Sequence, residues 1–137
     1  MNNSHPQSCI IVDDDPTTIV VFENYIAHIP KLRLESSFTD PLKAIDHIKK
    51  LKQIEFLFLD IKMKVSGIDI AKKLRGHVRY LIFITAYKEY ALDAFKVGCD
   101  QYLVKPVSFE KFLSTVNELI KKNRKQSNIT DFTTESG

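Results

Sequence analysis

Three aspartates, Asp13, Asp14 and Asp15, stand in a row near the start of the chain. Asp60, Thr85 and Lys105 follow at wide spacing, and each closes or directly follows a short apolar run. Carboxylates gathered in one place repel, and two within about 4–6 Å push one pKa up unless a cation lies between them. Hard oxygen ligands of this kind suit Mg²⁺, which takes carboxylates, waters and often a substrate phosphate. A lysine on the far side would supply fixed positive charge, and a threonine hydroxyl would supply a donor. Together they would neutralise the oxygens of a transferring phosphoryl group. A carboxylate can itself act as the nucleophile and form an acyl phosphate. Taken singly, an acid pair in a loop is a solvated cap, and a lone threonine or lysine carries no signal. Their joint placement after successive runs is what points to a site.

The elements that must position these residues follow from periodicity. Five apolar runs, at 8–12, 32–36, 56–59, 80–85 and 101–104, have strand length. Three of them are nearly continuous, as strands buried on both faces of a parallel sheet are. The segments between them predict helices. Asp15-Pro16 and Asp40-Pro41 each pair an N-cap with proline at the first helical position. Behind them, Ile19, Phe22, Ile26 and Ile29, then Ala44, Ile45, Ile48 and Leu51, recur at helical spacing. A shorter helix fits 68–74, and another fits 87–97 with Gly98 as its C-cap. Ser108 opens a last helix carrying Phe109, Phe112, Val116, Leu119 and Ile120 on one stripe. The order β-α five times predicts an α/β fold: a doubly wound parallel sheet whose right-handed crossovers put helices on both faces. Ligands of such sheets gather outside the carboxyl ends of the strands, where Asp13, Asp14, Asp60, Thr85 and Lys105 all fall. Asp15 already has a capping task; Asp13, Asp14 and Asp60 do not.

Four stretches then carry a resemblance. Val12-Asp13-Asp14-Asp15-Pro16, Leu59-Asp60-Ile61-Lys62-Met63, Thr85-Ala86-Tyr87 and Tyr102-Leu103-Val104-Lys105-Pro106 resemble, in order and spacing, the receiver domains of two-component response regulators. The resemblance covers residues 8–122 as the receiver domain, with 1–7 as a disordered start and 123–137 as a polar tail or the start of a linker. It implies a flavodoxin-like five-stranded sheet in the order 2-1-3-4-5. It implies Asp60 as phosphoacceptor, Asp14 as a direct Mg²⁺ ligand, Asp13 acting through water, and the backbone carbonyl of Lys62 as a further ligand. Thr85 would bond the phosphoryl group, Lys105 would pair with it, and the Lys105-Pro106 bond would be cis. Tyr102 is similar to the switch aromatic whose ring turns as Thr85 moves. The family also implies a sensor histidine kinase as phosphoryl donor. It further implies a signalling phosphoacceptor, not a turnover enzyme, with a role in its own phosphorylation and dephosphorylation. Its switching surface would be the face of the fourth helix, fifth strand and fifth helix, a possible homodimer contact. The segment 85–95 is similar to receivers joined to LytTR-type DNA-binding domains, which implies transcription regulation through such an output domain.

One stretch departs from the family pattern. Lys64 stands where proline is usual, and Gly67 comes seven residues past Asp60, one fewer than usual. The loop presenting the Lys62 carbonyl is therefore shortened. Two rival readings fit the residues less well. A Mg²⁺-dependent phosphohydrolase with an aspartyl nucleophile commonly places a second aspartate two residues on, where this chain has Lys62. A nucleotide- or flavin-binding module wants a glycine-rich loop after the first strand, and 13–16 is anionic and free of glycine.

The remaining features bound the answer. The 137 residues suit one domain, and 44% hydrophobic with 27% charged residues is an ordinary globular composition. Cys9 and Cys99 lie in apolar stretches and read as reduced core residues. No secretory pattern opens the chain and no apolar run is long enough to span a membrane, so a cytoplasmic location without membrane contact is expected. A net charge of +3 is too weak to argue for nucleic acid, and no direct nucleic-acid contact is expected of this domain. Lys121, Lys122, Arg124 and Lys125 read as a solvated helix end. The four histidines show no metal spacing and read as structural or surface residues.

Overall fold

The computed structural model describes residues 5–136, with side chains for 5–123. Residues 1–4 of the expected disordered start lie outside the described residues. The strands are β1 (Gln7–Val12), β2 (Leu32–Phe38), β3 (Ile54–Leu59), β4 (Val78–Thr85) and β5 (Gln101–Val104). All pair in parallel, in the order β2-β1-β3-β4-β5. The helices are α1 (Pro16–Ala27), α2 (Pro41–Lys50), α3 (Gly67–Leu74), α4 (Ala91–Lys96) and α5 (Phe109–Ser136). The continuously apolar runs became the central strands β1, β3 and β4, buried along almost their whole length. The less apolar β2 and β5 took the two edges. Gln7 belongs to β1, not to the leading segment: its N–H donates to Lys31 O at 2.7 Å.

The caps fall where proline and aspartate place them. Asp15 Oδ1 accepts from Thr17 N–H at 3.0 Å, and Asp40 Oδ1 from Leu42 N–H at 2.9 Å. Ser66 caps α3 by accepting from Ile68 N–H at 3.2 Å. Ala44 and Ile48 of α2 and Ile70, Ala71 and Leu74 of α3 join Ile10, Val12, Leu57, Leu59, Leu81 and Phe83 in one buried cluster. That cluster fixes the heights of β1, β3 and β4, and with them the residues at their carboxyl ends. α1 buries Ile19, Phe22 and Ile26.

The fourth helix is shorter than the spacing predicts. Tyr87 is extended (φ −113°, ψ 114°), a 3₁₀ turn covers Lys88–Tyr90, and α4 begins only at Ala91. The cause is that both backbone polar groups of Tyr87 are engaged outside any helix, as described below. Gly98 closes the segment at φ 87°, the left-handed conformation that glycine takes without steric cost.

Ser108 Oγ accepts from Lys111 N–H at 3.0 Å and opens α5. The helix continues through the polar stretch from 123 to Ser136. No proline or glycine occurs in 108–136, so nothing in the sequence stops it.

Both cysteines are free and buried. Burial pushes the Cys9 thiol up to about 12 and the Cys99 thiol up to about 11. Since the thiolate is the nucleophile, the folded protein is expected to resist a disulfide reagent at pH 8 and to release both thiols on unfolding. Rapid labelling of either cysteine in the native state would contradict this packing.

Candidate functional site

Parallel pairing puts the ends of β1, β3, β4 and β5 at one edge of the sheet. Asp60 N–H donates to Val12 O at 3.0 Å, which locks the residue after β3 to the end of β1. Lys105 N–H donates to Thr85 O at 2.8 Å, which locks the residue after β5 to the end of β4. Asp13, Asp14 and Asp60 thereby converge, each offering a carboxylate oxygen within 4.8 Å of the others. Asp13 and Asp60 are buried, and Asp14 is exposed.

Lys105 reaches back across this group. Its Nζ lies 2.8 Å from Asp13 Oδ2 and 3.6 Å from Asp60 Oδ2. It also donates to Thr18 Oγ1 at 3.5 Å, while the Thr18 hydroxyl donates to Asp15 Oδ2 at 3.2 Å. Burial pushes the Asp13 carboxyl above its ordinary range and the charge of Asp60 adds to this, against the bonds from Lys105 and from Asp15 N–H. Burial pulls Lys105 the other way, but its bond to Asp13 and the charges of Asp13, Asp60 and Asp15 together raise it above the ordinary lysine range. The ammonium therefore stays charged. Three carboxylates against one ammonium leave a formal charge of −2 in the pocket, which a divalent cation would cancel. An all-oxygen, carboxylate-rich donor set is the kind that Mg²⁺ takes.

Asp60 Oδ1 accepts from Ile61 N–H at 2.7 Å, which leaves Oδ2 as the oxygen turned toward Lys105. The shortened loop behind Asp60 closes tightly. Gly67 N–H donates to Ile61 O at 2.7 Å. A Cβ on Gly67 would stand 2.0 Å from Asp60 O and 2.8 Å from Ile61 Cα.

Thr85 is fully buried, and its hydroxyl accepts from Tyr87 N–H at 3.4 Å. The Tyr102 hydroxyl donates to Tyr87 O. The Lys62 ammonium lies over the Tyr87 ring, 4.8 Å from its centre. Tyr87 thus joins three residues that the sequence singled out: Thr85, Tyr102 and Lys62. The Lys105–Pro106 bond is cis. Sequence reasoning missed Thr18 and the central place of Tyr87. Thr18 had a faint signal in its position three residues past the Asp15 cap; Tyr87 was masked by an apolar pattern that read as helix.

Residues 9–117 match the family described as the response regulator receiver domain. The chain belongs to that family. The receiver domain is 32% identical over 117 residues to the sensory transduction protein LytT of Enterococcus faecalis, covering 82% of this chain and 48% of that protein. It is 31% identical over 119 residues to the transcriptional regulatory protein BtsR of Salmonella typhi, covering 85% and 49%. The receiver domain thus spans about half the length of the curated relatives it matches. The crystal structure of the CheX-CheY-BeF3-Mg+2 complex from Borrelia burgdorferi shares its fold, with a TM-score of 0.76 at 23% identity, over 84% of this chain and 90% of that one. The phosphohydrolase and nucleotide-binding readings are not favoured by these matches, and Lys62 occupies the position where the former wants an acid.

Proposed function

We propose that this receiver domain takes a phosphoryl group on Asp60 from the phosphohistidine of a sensor histidine kinase. The observation that carries this is the position of the Lys105 ammonium between Asp13 and Asp60, at the mouth of a three-carboxylate cluster. Asp60 Oδ2 attacks phosphorus, the bond from phosphorus to the donor histidine nitrogen breaks, and the freed imidazole takes a proton. Lys105 balances charge on the transferring oxygens, and Thr85 offers its hydroxyl to one of them. Asp13, Asp14, Asp60 and the Lys62 carbonyl would hold Mg²⁺, which supplies charge neutralisation between the carboxylates and the incoming phosphoryl group. The same groups serve the domain's own phosphorylation and dephosphorylation, without turnover of a separate substrate. A cleft of about 230 Å³ lined by Thr18, Val21, Phe22, Tyr25, Pro106 and Val107 lies beside Lys105 and offers a donor protein apolar ground next to the acceptor.

On this reading the new charge biases Thr85 and Tyr102 through their common partner Tyr87. The exposed Leu92 and Phe95 of α4 and Val104 of β5 support a homodimer contact on that side. Likeness to LytT supports a LytTR-type DNA-binding output and a role in transcription, with residues 123–137 as the polar tail or start of the linker. Among the described residues no helix is long and apolar enough to cross a membrane, and a kinase-fed signalling role supports a cytoplasmic location.

Intact mass after incubation with acetyl phosphate tests the reading. One phosphoryl adduct is expected with Mg²⁺ and none with a chelator. Mg²⁺ at about 100 times its Kd is also expected to stabilise the fold by about 2.7 kcal/mol. An adduct of equal yield in the chelator would remove the metal from the reading. No adduct in either condition would remove the reading itself.

A further inference from the structure

Charge is distributed unevenly over the fold. α2 with the turn after it presents Lys43, Lys49, Lys50 and Lys52, and α3 presents Lys72 and Lys73, all exposed. Against these six lysines stand three aspartates, Asp40 at the α2 cap, Asp46 and Asp69, and Asp46 is taken by Lys50 at 3.1 Å. The surface is thus three charges more positive than negative, as much as the +3 of the whole chain. This segregation gives one face a basic field that the modest net charge of the chain does not reveal. α2 and α3 bury their apolar faces in one cluster, so their lysines lie on the outward side.

Helix stability accounts for only part of this pattern. Lys49, Lys50, Lys72 and Lys73 occupy last turns, where the helix dipole favours cations. Lys43 lies in the first turn of α2, where the dipole opposes a cation and the neighbouring acid, Asp40, is already engaged in capping Leu42 N–H. Lys52 lies past the helix end.

We propose that the α2–α3 surface binds the phosphate backbone of duplex DNA, without regard to sequence. The inference rests on the transcriptional reading above only for its choice of polyanion. α2 is about 15 Å long at 1.5 Å per residue, and a duplex carries about one negative charge per 1.7 Å of axis. Lysines as hydrated point charges suit phosphate oxygens without reading bases. A lipid surface is disfavoured because interfacial helices need an apolar face to insert, and α2 and α3 have spent theirs on the core. Single-stranded nucleic acid wants stacking aromatics, and the exposed Tyr87 and Phe95 belong to the β4–α4 segment and α4.

Fluorescence anisotropy with a short labelled duplex of arbitrary sequence, at low salt, tests this on the full chain. Binding through four phosphates is expected to weaken by about 10²-fold as salt rises from 50 to 200 mM. Reversing Lys43, Lys49, Lys72 and Lys73 to Glu is expected to weaken binding at least tenfold. Reversing Lys31, Arg33, Lys88 and Lys96 makes the same change in net charge elsewhere and is expected to leave binding within threefold. Equal losses in the two variants, or no binding by the unaltered chain, would overturn the proposal. So would competition by polyglutamate as effective as by unlabelled duplex, or tighter binding to equimolar phosphatidylserine–phosphatidylcholine vesicles. Acetyl phosphate labelling of both variants is expected to match the unaltered chain and reports an intact fold. A failure of labelling in the unaltered chain would count against the phosphoacceptor reading and leave the DNA result to be judged alone.

Discussion

Asp60→Asn is expected to abolish the phosphoryl adduct, a loss on the order of 10³-fold or more in labelling rate, with the fold retained. The chemistry requires it. An amide offers no anionic oxygen to attack phosphorus, and the neighbouring Asp13 is pinned by Lys105 at 2.8 Å and by Asp15 N–H at 2.9 Å. The fold survives because Asn keeps the carbonyl oxygen that accepts from Ile61 N–H. The backbone bond from Asp60 N–H to Val12 O is also untouched. Removing one of two buried carboxylates relieves repulsion of Asp13, whose carboxyl is raised first by burial and then by the charge of Asp60. Stability is therefore expected to stay within about 1 kcal/mol of the unaltered chain, or to rise. Intact mass after acetyl phosphate treatment, with a thermal melt of the same sample, reads both. An adduct that persists at full rate would move the acceptor to Asp13 or Asp14.

The sequence made the sheet legible because burial on both faces writes itself as continuous apolar runs. Phe56-Leu57-Phe58-Leu59 and Leu81-Ile82-Phe83-Ile84 admit few other placements, and the acids after such runs fall at one edge by topology alone. Aspartate before proline marked the starts of α1 and α2 for an equally local reason. What stayed hidden depends on contacts between distant residues. Tyr87 sits in a segment with helical spacing, yet a local bond to Thr85 and a tertiary bond from Tyr102, fifteen residues on, hold it extended. No one-dimensional pattern carries that. The basic surface was hidden likewise: Lys43 and Lys73 are thirty residues apart in the chain, and only the packing of α2 beside α3 gathers their charges.

Gly67→Ala is expected to destabilise the fold by about 3 kcal/mol or more and to impair labelling of whatever fraction remains folded. The added Cβ would meet Asp60 O at 2.0 Å and the backbone carbon of that carbonyl at 2.9 Å. These are main-chain atoms of the proposed acceptor, so relief cannot come from a side-chain rotation. Asp60 is fixed on one side by its N–H to Val12 O and on the other by Ile61 O accepting from Gly67 N–H. Relief must therefore open the loop. That costs the Gly67–Ile61 bond and moves the segment carrying Lys62, whose carbonyl is the proposed metal ligand and whose ammonium holds Tyr87. The requirement follows from the shortened loop: with one residue fewer to span from Asp60 to α3, the first residue of the helix passes against the acceptor's own carbonyl. Lengthening the loop by a glycine between Lys64 and Val65 in the Gly67→Ala chain is expected to restore part of the lost stability, because the added residue lets α3 stand off. Chemical denaturation of the three chains reads the effect. A Gly67→Ala chain as stable as the original would show that the loop does not close as tightly as this geometry requires.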